Sequence, residues 1–301
     1  MVQLIYALAS IFLLKFFWEY SNDEIRQYWN RFEFDDYKLL SCRKTDYGYR
    51  ATVQCINEGN FEHLKTYRES FNKIYSMKTY LNNKDYSDEI LIDFVKKRDK
   101  LKYKYIELNP YELLIGYNYK YQPIKVNMKI TPHLGVVGIS NNGKSKCIEL
   151  ALRNLRGADI TLLNCFDDDF TDIKANRING IDDILDYFYY LCNEDDIKER
   201  PLYVVLDEYN VISNIEGIDE SIENLLRQAR HRNIFIIVIM QQATKDECNF
   251  KNLFNCRLCF KQIDKSQYYS FIGSVVEETN LKQMEFILLH EKLEYGTSYL
   301  L

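Results

Sequence analysis

The stretch LGVVGISNNGKSKCIEL, Leu134 to Leu150, decides how the rest of this chain reads. An apolar run, Leu134 to Val137, stops at Gly138; Gly143-Lys144-Ser145 follows, and then sequence with helical spacing. Gly138 to Ser145 fits the pattern G-x-x-x-x-G-K-[ST] in full, between a strand and a helix as that pattern requires. Glycines at 138 and 143 free the backbone to turn successive N–H groups inward, onto a phosphate. Asn141 and Asn142 stand where glycines are common, and asparagine tolerates the left-handed conformation. The predicted phosphate-binding set is therefore Gly138, Ile139, Ser140, Asn141, Asn142, Gly143, Lys144, Ser145 and Lys146. Lys144 brings a point charge to the β and γ oxygens of a nucleoside triphosphate. Ser145 offers a hydroxyl to Mg²⁺, and the positive end of the helix that begins here favours both anion and loop.

A cradle of this kind needs an acid. LYVVLDEYN, Leu202 to Asn210, supplies one at the end of an apolar run. Asp207 can hold the water shell of Mg²⁺ together with Ser145, and Glu208 can polarise a water for attack on the γ-phosphate. Taken alone, an Asp-Glu pair after a strand reads equally well as a helix N-cap. Roughly sixty residues downstream of a phosphate loop, the catalytic role is the expectation. The run IFIIVIM, Ile234 to Met240, ends in Gln241-Gln242. Gln241, at the tip of a strand beside the phosphate loop, is expected to sense the γ-phosphate.

Four apolar runs, Leu134 to Val137, Ile160 to Leu163, Leu202 to Leu206 and Ile234 to Met240, read as buried parallel strands separated by helical segments. DESIENLLRQARHR places Ile222, Leu225, Leu226 and Ala229 on one face, with Arg227, Arg230 and Arg232 late, where the helix dipole favours them. This alternation predicts an α/β fold with a mainly parallel sheet covered on both faces. Upstream, Tyr47 to Ile56 alternates like a half-buried strand, and Phe61, Leu64, Tyr67, Phe71 and Ile74 recur at helical spacing, so a small α+β region precedes the sheet. The expected organisation is an apolar helix and charged helical linker over residues 1–38, an accessory region over 39–108, and the phosphate-binding domain over 109–301.

A net charge of −5 excludes a global electrostatic footprint for nucleic acid, so any such contact is local. The eight cysteines are scattered through apolar runs, as free thiols in a reducing compartment would be. Cys256 and Cys259 have CxxC spacing but no second pair beside them, and their stretch reads as a strand, which favours packing over zinc. Val2 to Trp18 carries a single charge, Lys15, and is followed by Tyr20. The expectation is a membrane anchor tethering a cytoplasmic protein to the inner face of the cell membrane; the alternative is an apolar helix packed on the protein itself.

The order ITPHLGVVGISNNGKSKCIEL, VVLDEYNVI, LLRQARHRNIFIIVIMQQAT, NLFNCRLCFKQIDKSQYYSFIG resembles the FtsK/SpoIIIE branch of the FtsK–HerA DNA-pumping ATPases. The likeness runs from about Asn109 to the C-terminus and includes the Pro132-His133-Leu134 lead-in and ELLIGYNYKYQPIKVNM as a preceding strand pair. Met240 departs from the family's Thr, and Gln242-Ala243 from its Arg-Pro. The resemblance implies a RecA-like P-loop domain that binds ATP and Mg²⁺ and hydrolyses ATP at the interfaces of a homo-oligomeric ring, usually a hexamer, to drive double-stranded DNA through its pore, where Lys174, Arg177 and Lys251 are the candidates for phosphate contacts. Lys144, Glu208 and Gln241 would act in catalysis, and an arginine from the neighbouring subunit would complete each site, Arg257 in FNCR or Arg230. With no winged-helix segment after the motor portion, a compact motor for plasmid, transposon or phage DNA, working with transfer or replication proteins, is expected. The rival reading is a nucleotide-dependent switch or assembly ATPase acting on a protein partner. TKDE, with Glu247 where a GTPase base reader has Asp, argues against a GTPase. No LSGGQ-like signature precedes Asp207, which argues against an ABC transporter, and a small-molecule kinase leaves the arginine helix, strand and glutamine order without a role.

Overall fold

The computed structural model describes residues 24–29, 34–84, 87–96, 101–242, 248–273, 276 and 279–299. The apolar stretch Val2 to Trp18 and the TKDE segment lie outside the described residues; among those described, no helix is long and apolar enough to cross a membrane. The chain divides into two compact units, Met1–Asp99 and Lys100–Leu301.

The first unit is an antiparallel sheet of four strands, β1 (Tyr37–Thr45), β2 (Gly48–Cys55), β3 (Lys78–Asn83) and β4 (Glu89–Val95), in the order β1-β2-β4-β3. With it go α1 (Glu24–Trp29), α2 (Phe61–Thr66) and α3 (Arg68–Tyr75). The helical periodicity from Phe61 is real but is split at Tyr67 into two helices. Asn60 caps the first, its side chain accepting the His63 N–H at 2.9 Å, as an N-cap residue should. Leu64, Phe71 and Tyr75 then bury against Trp29, Ile92 and Phe94. Tyr37 and Lys38, expected to close a helical linker, instead open β1, because the Tyr37 ring is buried there and its hydroxyl donates to the Asn60 carbonyl at 2.9 Å. Asp93 is fully buried, and the Arg50 guanidinium satisfies it with two bonds of 2.6 and 2.8 Å, joined by the Tyr47 hydroxyl.

The second unit is built on a ten-stranded sheet. Its strands are β5 (Glu112–Tyr117), β6 (Pro123–Asn127), β7 (Leu134–Val137), β8 (Asp159–Leu163), β9 (Asn176–Ile178), β10 (Leu202–Leu206), β11 (Ile234–Met240), β12 (Cys256–Cys259), β13 (Glu285–Leu289) and β14 (Leu293–Thr297). The order is β6-β5-β14-β13-β12-β7-β11-β10-β8-β9. From β12 to β9 all neighbours run parallel; the other four strands form an antiparallel wing. Helices are α4 (Lys144–Arg153), α5 (Ile181–Asn193), α6 (Tyr209–Ile212), α7 (Ile218–Gln228) and α8 (Lys265–Ile272). Both sheet faces are covered, and β11 shows why its run has no polar residue. Ile236, Val238 and Met240 pack into the core with α5, α6, α7 and α8, while Phe235, Ile237 and Ile239 pack into the core with α4 and the β5–β6 pair.

Ile222, Leu225, Leu226 and Ala229 are buried as their spacing predicts, but α7 ends at Gln228 and a 3-10 turn carries Ala229–Arg232. Arg232 is therefore no exposed dipole partner of its own helix. It is buried and donates to the Leu191 and Glu194 carbonyls, the open end of α5. Cys256 and Cys259 are buried free thiols in β12, and no metal-ligating cluster occurs among the described residues. Lys251, considered for a nucleic-acid contact, is buried with its ammonium on the Ser270 hydroxyl at 2.8 Å, while Arg177 donates to the Asp169 carbonyl at 2.6 Å; of those three candidates Lys174 is exposed.

Candidate active site

Sheet order puts the phosphate loop at the carboxyl edge of the parallel strands. β7 lies between β11 and β12, with β10 beyond β11, and all four strands point their carboxyl ends the same way. The loop leaving β7 is stitched to both neighbours: Gly138 N–H donates to the Met240 carbonyl at 3.3 Å, and Ile139 N–H to the Lys261 carbonyl at 3.0 Å. A side chain at Gly138 would collide with the Phe260 Cβ at 2.7 Å. Asn141 has φ of 61° and Gly143 φ of 94°, so the asparagine does adopt the left-handed conformation that the motif needs. Asn142 braces the loop from within, its amide donating to the Ser140 carbonyl at 3.0 Å.

Lys144 opens α4 and is buried, its ammonium 3.4 Å from the Ile139 carbonyl. Burial lowers its pKa below the ordinary lysine value, and the nearby charges of Glu208 and Asp207 oppose that shift. The Ser145 hydroxyl lies beside the Asp207 carboxylate and acts to lower its pKa. Asp207 Oδ1 accepts the Glu208 N–H at 2.9 Å. Burial nevertheless dominates and pushes the Asp207 pKa up to about 6. Its other oxygen, Oδ2, is buried and has no hydrogen-bond partner. A bare carboxylate oxygen beside a hydroxyl fits the hydrated shell of Mg²⁺, which takes oxygen ligands and keeps its waters. Asp207 and Ser145 are the residues that would hold it. Lys146 lies in the first turn of α4 but pairs with the buried Glu149 carboxylate at 2.5 Å.

Glu208 sits in a left-handed conformation, φ 48°, immediately after β10. Its Oε2 accepts from the Gln241 side-chain amide at 2.8 Å. The water-polarising candidate and the γ-phosphate sensor candidate thus touch each other directly. Asn210 pins Gln241: its Oδ1 accepts the Gln241 N–H at 2.7 Å, and its amide donates to the Gln242 carbonyl at 3.4 Å. Asn164, at the tip of β8, donates to the Asp207 carbonyl at 3.1 Å. Sequence reasoning missed both asparagines. Asn164 follows an apolar run just as Gln241 does and could have been found that way; Asn210 carries no such signal.

The structure therefore brings together residues 138–146, Asp207, Glu208 and Gln241. It does not bring in the two arginines. Arg257 is half-buried, with Nη1 donating to the Phe271 carbonyl at 2.9 Å and Nε to the Phe254 carbonyl at 3.1 Å. Its guanidinium closes the end of α8, and burial lowers its pKa. Arg230 is exposed in the 3-10 turn before β11. Its charge reaches His133, which precedes β7 at the strand end opposite the loop. His133 is itself buried and held neutral, its pKa pushed down to about 3, with Nδ1 accepting the Ile236 N–H at 3.0 Å. The Pro-His-Leu lead-in thus has a packing reason: the imidazole closes a β11 amide where β7 has not yet begun to pair.

No protein-family model and no curated protein sequence matches the chain. Solved structures do. The pCW3 conjugation coupling protein TcpA, in a monomer form with ATPγS, aligns with a TM-score of 0.60 and 15% identity over 87% of this chain and 88% of its own. ATPases 2 and 3 of EssC from Geobacillus thermodenitrificans align at 0.55 and 12% over 67% of this chain and 46% of theirs. EccC from Thermomonospora curvata, ATPases 2 and 3 with a signal sequence peptide, aligns at 0.53 and 14% over 86% and 53%. Together with the phosphate loop at β7, the acid pair after β10 and the glutamine after β11, these likenesses show that the chain has the fold of these P-loop ATPases.

Proposed function

We propose that the protein binds ATP with Mg²⁺, hydrolyses it, and uses the energy to move DNA. The observation that carries the hydrolytic reading is the Glu208–Gln241 bond at 2.8 Å, a carboxylate and a sensor amide meeting where the Lys144 and Ser145 loop presents phosphate. Glu208 would take the proton of the attacking water while Lys144 and the loop amides hold the β and γ oxygens. Mg²⁺, held by Ser145 and Asp207, would neutralise charge developing between the two phosphates. DNA is favoured as cargo because the coupling protein TcpA matches most of the chain, both units included, at a similar length. The second reading, work on a protein partner, has support in the EccC match, whose structure holds a signal sequence peptide. A ring of like subunits, and a membrane tether through Val2 to Trp18, accompany the first reading as proposals.

Phosphate release measured with and without duplex DNA, on the wild type and on Lys144→Ala, separates these. DNA should accelerate turnover several-fold and the variant should abolish it. Turnover indifferent to DNA sinks the translocase reading, and a wild type without ATPase activity sinks the whole assignment.

A further inference from the structure

The phosphate loop has a back wall that no motif contains. Between α8 and β13, residues 283 and 284 turn behind it. Gln283 Nε2 donates to the Asn141 carbonyl at 2.9 Å, and Met284 N–H donates to the Asn142 carbonyl at 3.2 Å. Met284 holds a φ of 67°, uncommon for a residue with a side chain, and its own carbonyl accepts the Ser298 N–H at 2.9 Å, tying the turn to the end of β14. Its sulfur lies against the loop: a Cβ built on Gly143 would meet Met284 Sδ at 2.1 Å.

The consequence follows from peptide geometry. In a trans peptide the C=O of one residue and the N–H of the next point in opposite directions. With the carbonyls of Asn141 and Asn142 both drawn back onto residues 283 and 284, the N–H groups of Asn142 and Gly143 are turned the other way, into the hollow of the loop. Those are the amides that a phosphate nest requires. Left to itself, a loop with asparagines at 141 and 142 in place of glycines would divide its time among orientations that do not all present the amides. The turn removes that freedom before a ligand arrives, so less of the binding energy goes into ordering the loop.

We infer that Gln283 and Met284 are positioning residues for the phosphate loop, holding the Asn142 and Gly143 amides ready for the β-phosphate of a bound nucleotide. This rests on the nucleotide-binding reading above. Gln283 is exposed, so its substitution leaves the core intact. The test is a fluorescence titration of the full chain with mant-ADP, mant-ATP and mant-AMP in Mg²⁺, paired with thermal unfolding. Gln283→Ala should weaken mant-ADP and mant-ATP alike by roughly 3- to 10-fold, the range of one lost hydrogen bond, with mant-AMP and the melting temperature unmoved. In hydrolysis the loss should fall on KM more than on kcat. Gln283→Lys, which keeps an N–H donor on a chain of similar reach, should recover most of the affinity, and Gln283→Glu, which cannot donate, should not. Unchanged mant-ADP affinity in Gln283→Ala, or an equal loss for all three nucleotides, overturns the brace alone. A wild type that binds none of them removes the nucleotide reading, and the brace with it.

Discussion

Asp207 pays for its position before any ligand is present. Its carboxyl is buried, and burial raises its pKa from 3.8 to about 6, so the charged form that would serve Mg²⁺ is the form the fold disfavours. The sign of the pH effect follows. Below the unfolded value both states are protonated and nothing is lost; as pH rises from 3.8 to about 6 the unfolded carboxyl ionises while the folded one keeps its proton, so stability falls, and the loss is complete once pH passes the folded value. At neutral pH a displacement of that size corresponds to about 3 kcal/mol. Asp207→Asn keeps an acceptor for the Glu208 N–H and removes the charge. It should therefore raise the nucleotide-free unfolding free energy by about 1–3 kcal/mol at pH 7.5, with the gain shrinking towards zero near pH 4 in urea titrations. The same variant should lose Mg²⁺-dependent hydrolysis. A variant less stable than wild type at pH 7.5 would show that the carboxylate is not strained there.

At the scale of elements, the loop and the turn behind it constrain each other, and Gly143 is the point of contact. Gly143 has φ of 94° and no room, whereas Gly157 has φ of 79° and nothing within 4 Å of an added Cβ. Gly157→Ala should cost only the left-handed penalty, about 1–2 kcal/mol. Gly143→Ala adds the collision with Met284, so about 2–4 kcal/mol and loss of nucleotide binding are expected, measured by urea unfolding and mant-ADP titration. Equal costs for the two would mean that the turn yields. The arginines separate in the same way. Arg257 closes α8 through the Phe271 carbonyl, so Arg257→Ala should destabilise by about 1–3 kcal/mol. Arg230 is exposed, and Arg230→Ala should stay within about 0.5 kcal/mol of wild type. A loss of turnover in Arg230→Ala without loss of stability would assign it the role between subunits; unchanged turnover would remove it.

For the molecule as a whole, the candidate site lies at the carboxyl edge of a sheet whose parallel strands run from β12 to β9, and neither Arg257 nor Arg230 reaches into it. If a neighbouring copy completes the site, turnover is a property of the assembly. Titrating Lys144→Ala into wild type should then depress turnover more steeply than dilution alone, whereas a strictly proportional fall would indicate chains that act singly. The antiparallel wing also has a use at this scale: it carries the C-terminal hairpin back across the sheet, so that residues 283 and 284 stand behind a loop about 140 positions earlier in the chain.

Much was legible before any coordinate. The four apolar runs became β7, β8, β10 and β11, because a strand buried on both faces must be apolar throughout. The phosphate loop, the acid pair and Gln241 were legible because each follows directly from the end of such a strand, where local chemistry and position along the chain coincide. What the sequence could not express is which distant groups a residue meets. Arg257 and Arg232 look like free cations in the chain and are spent on helix-end carbonyls in the fold. Asn210, Gln283 and Met284 look like nothing in particular and hold the site in shape. Periodicity and motif spacing are local properties that survive in one dimension. Hydrogen-bond satisfaction and burial are set by neighbours brought together only when the sheet assembles, so those roles were the tertiary structure's to decide.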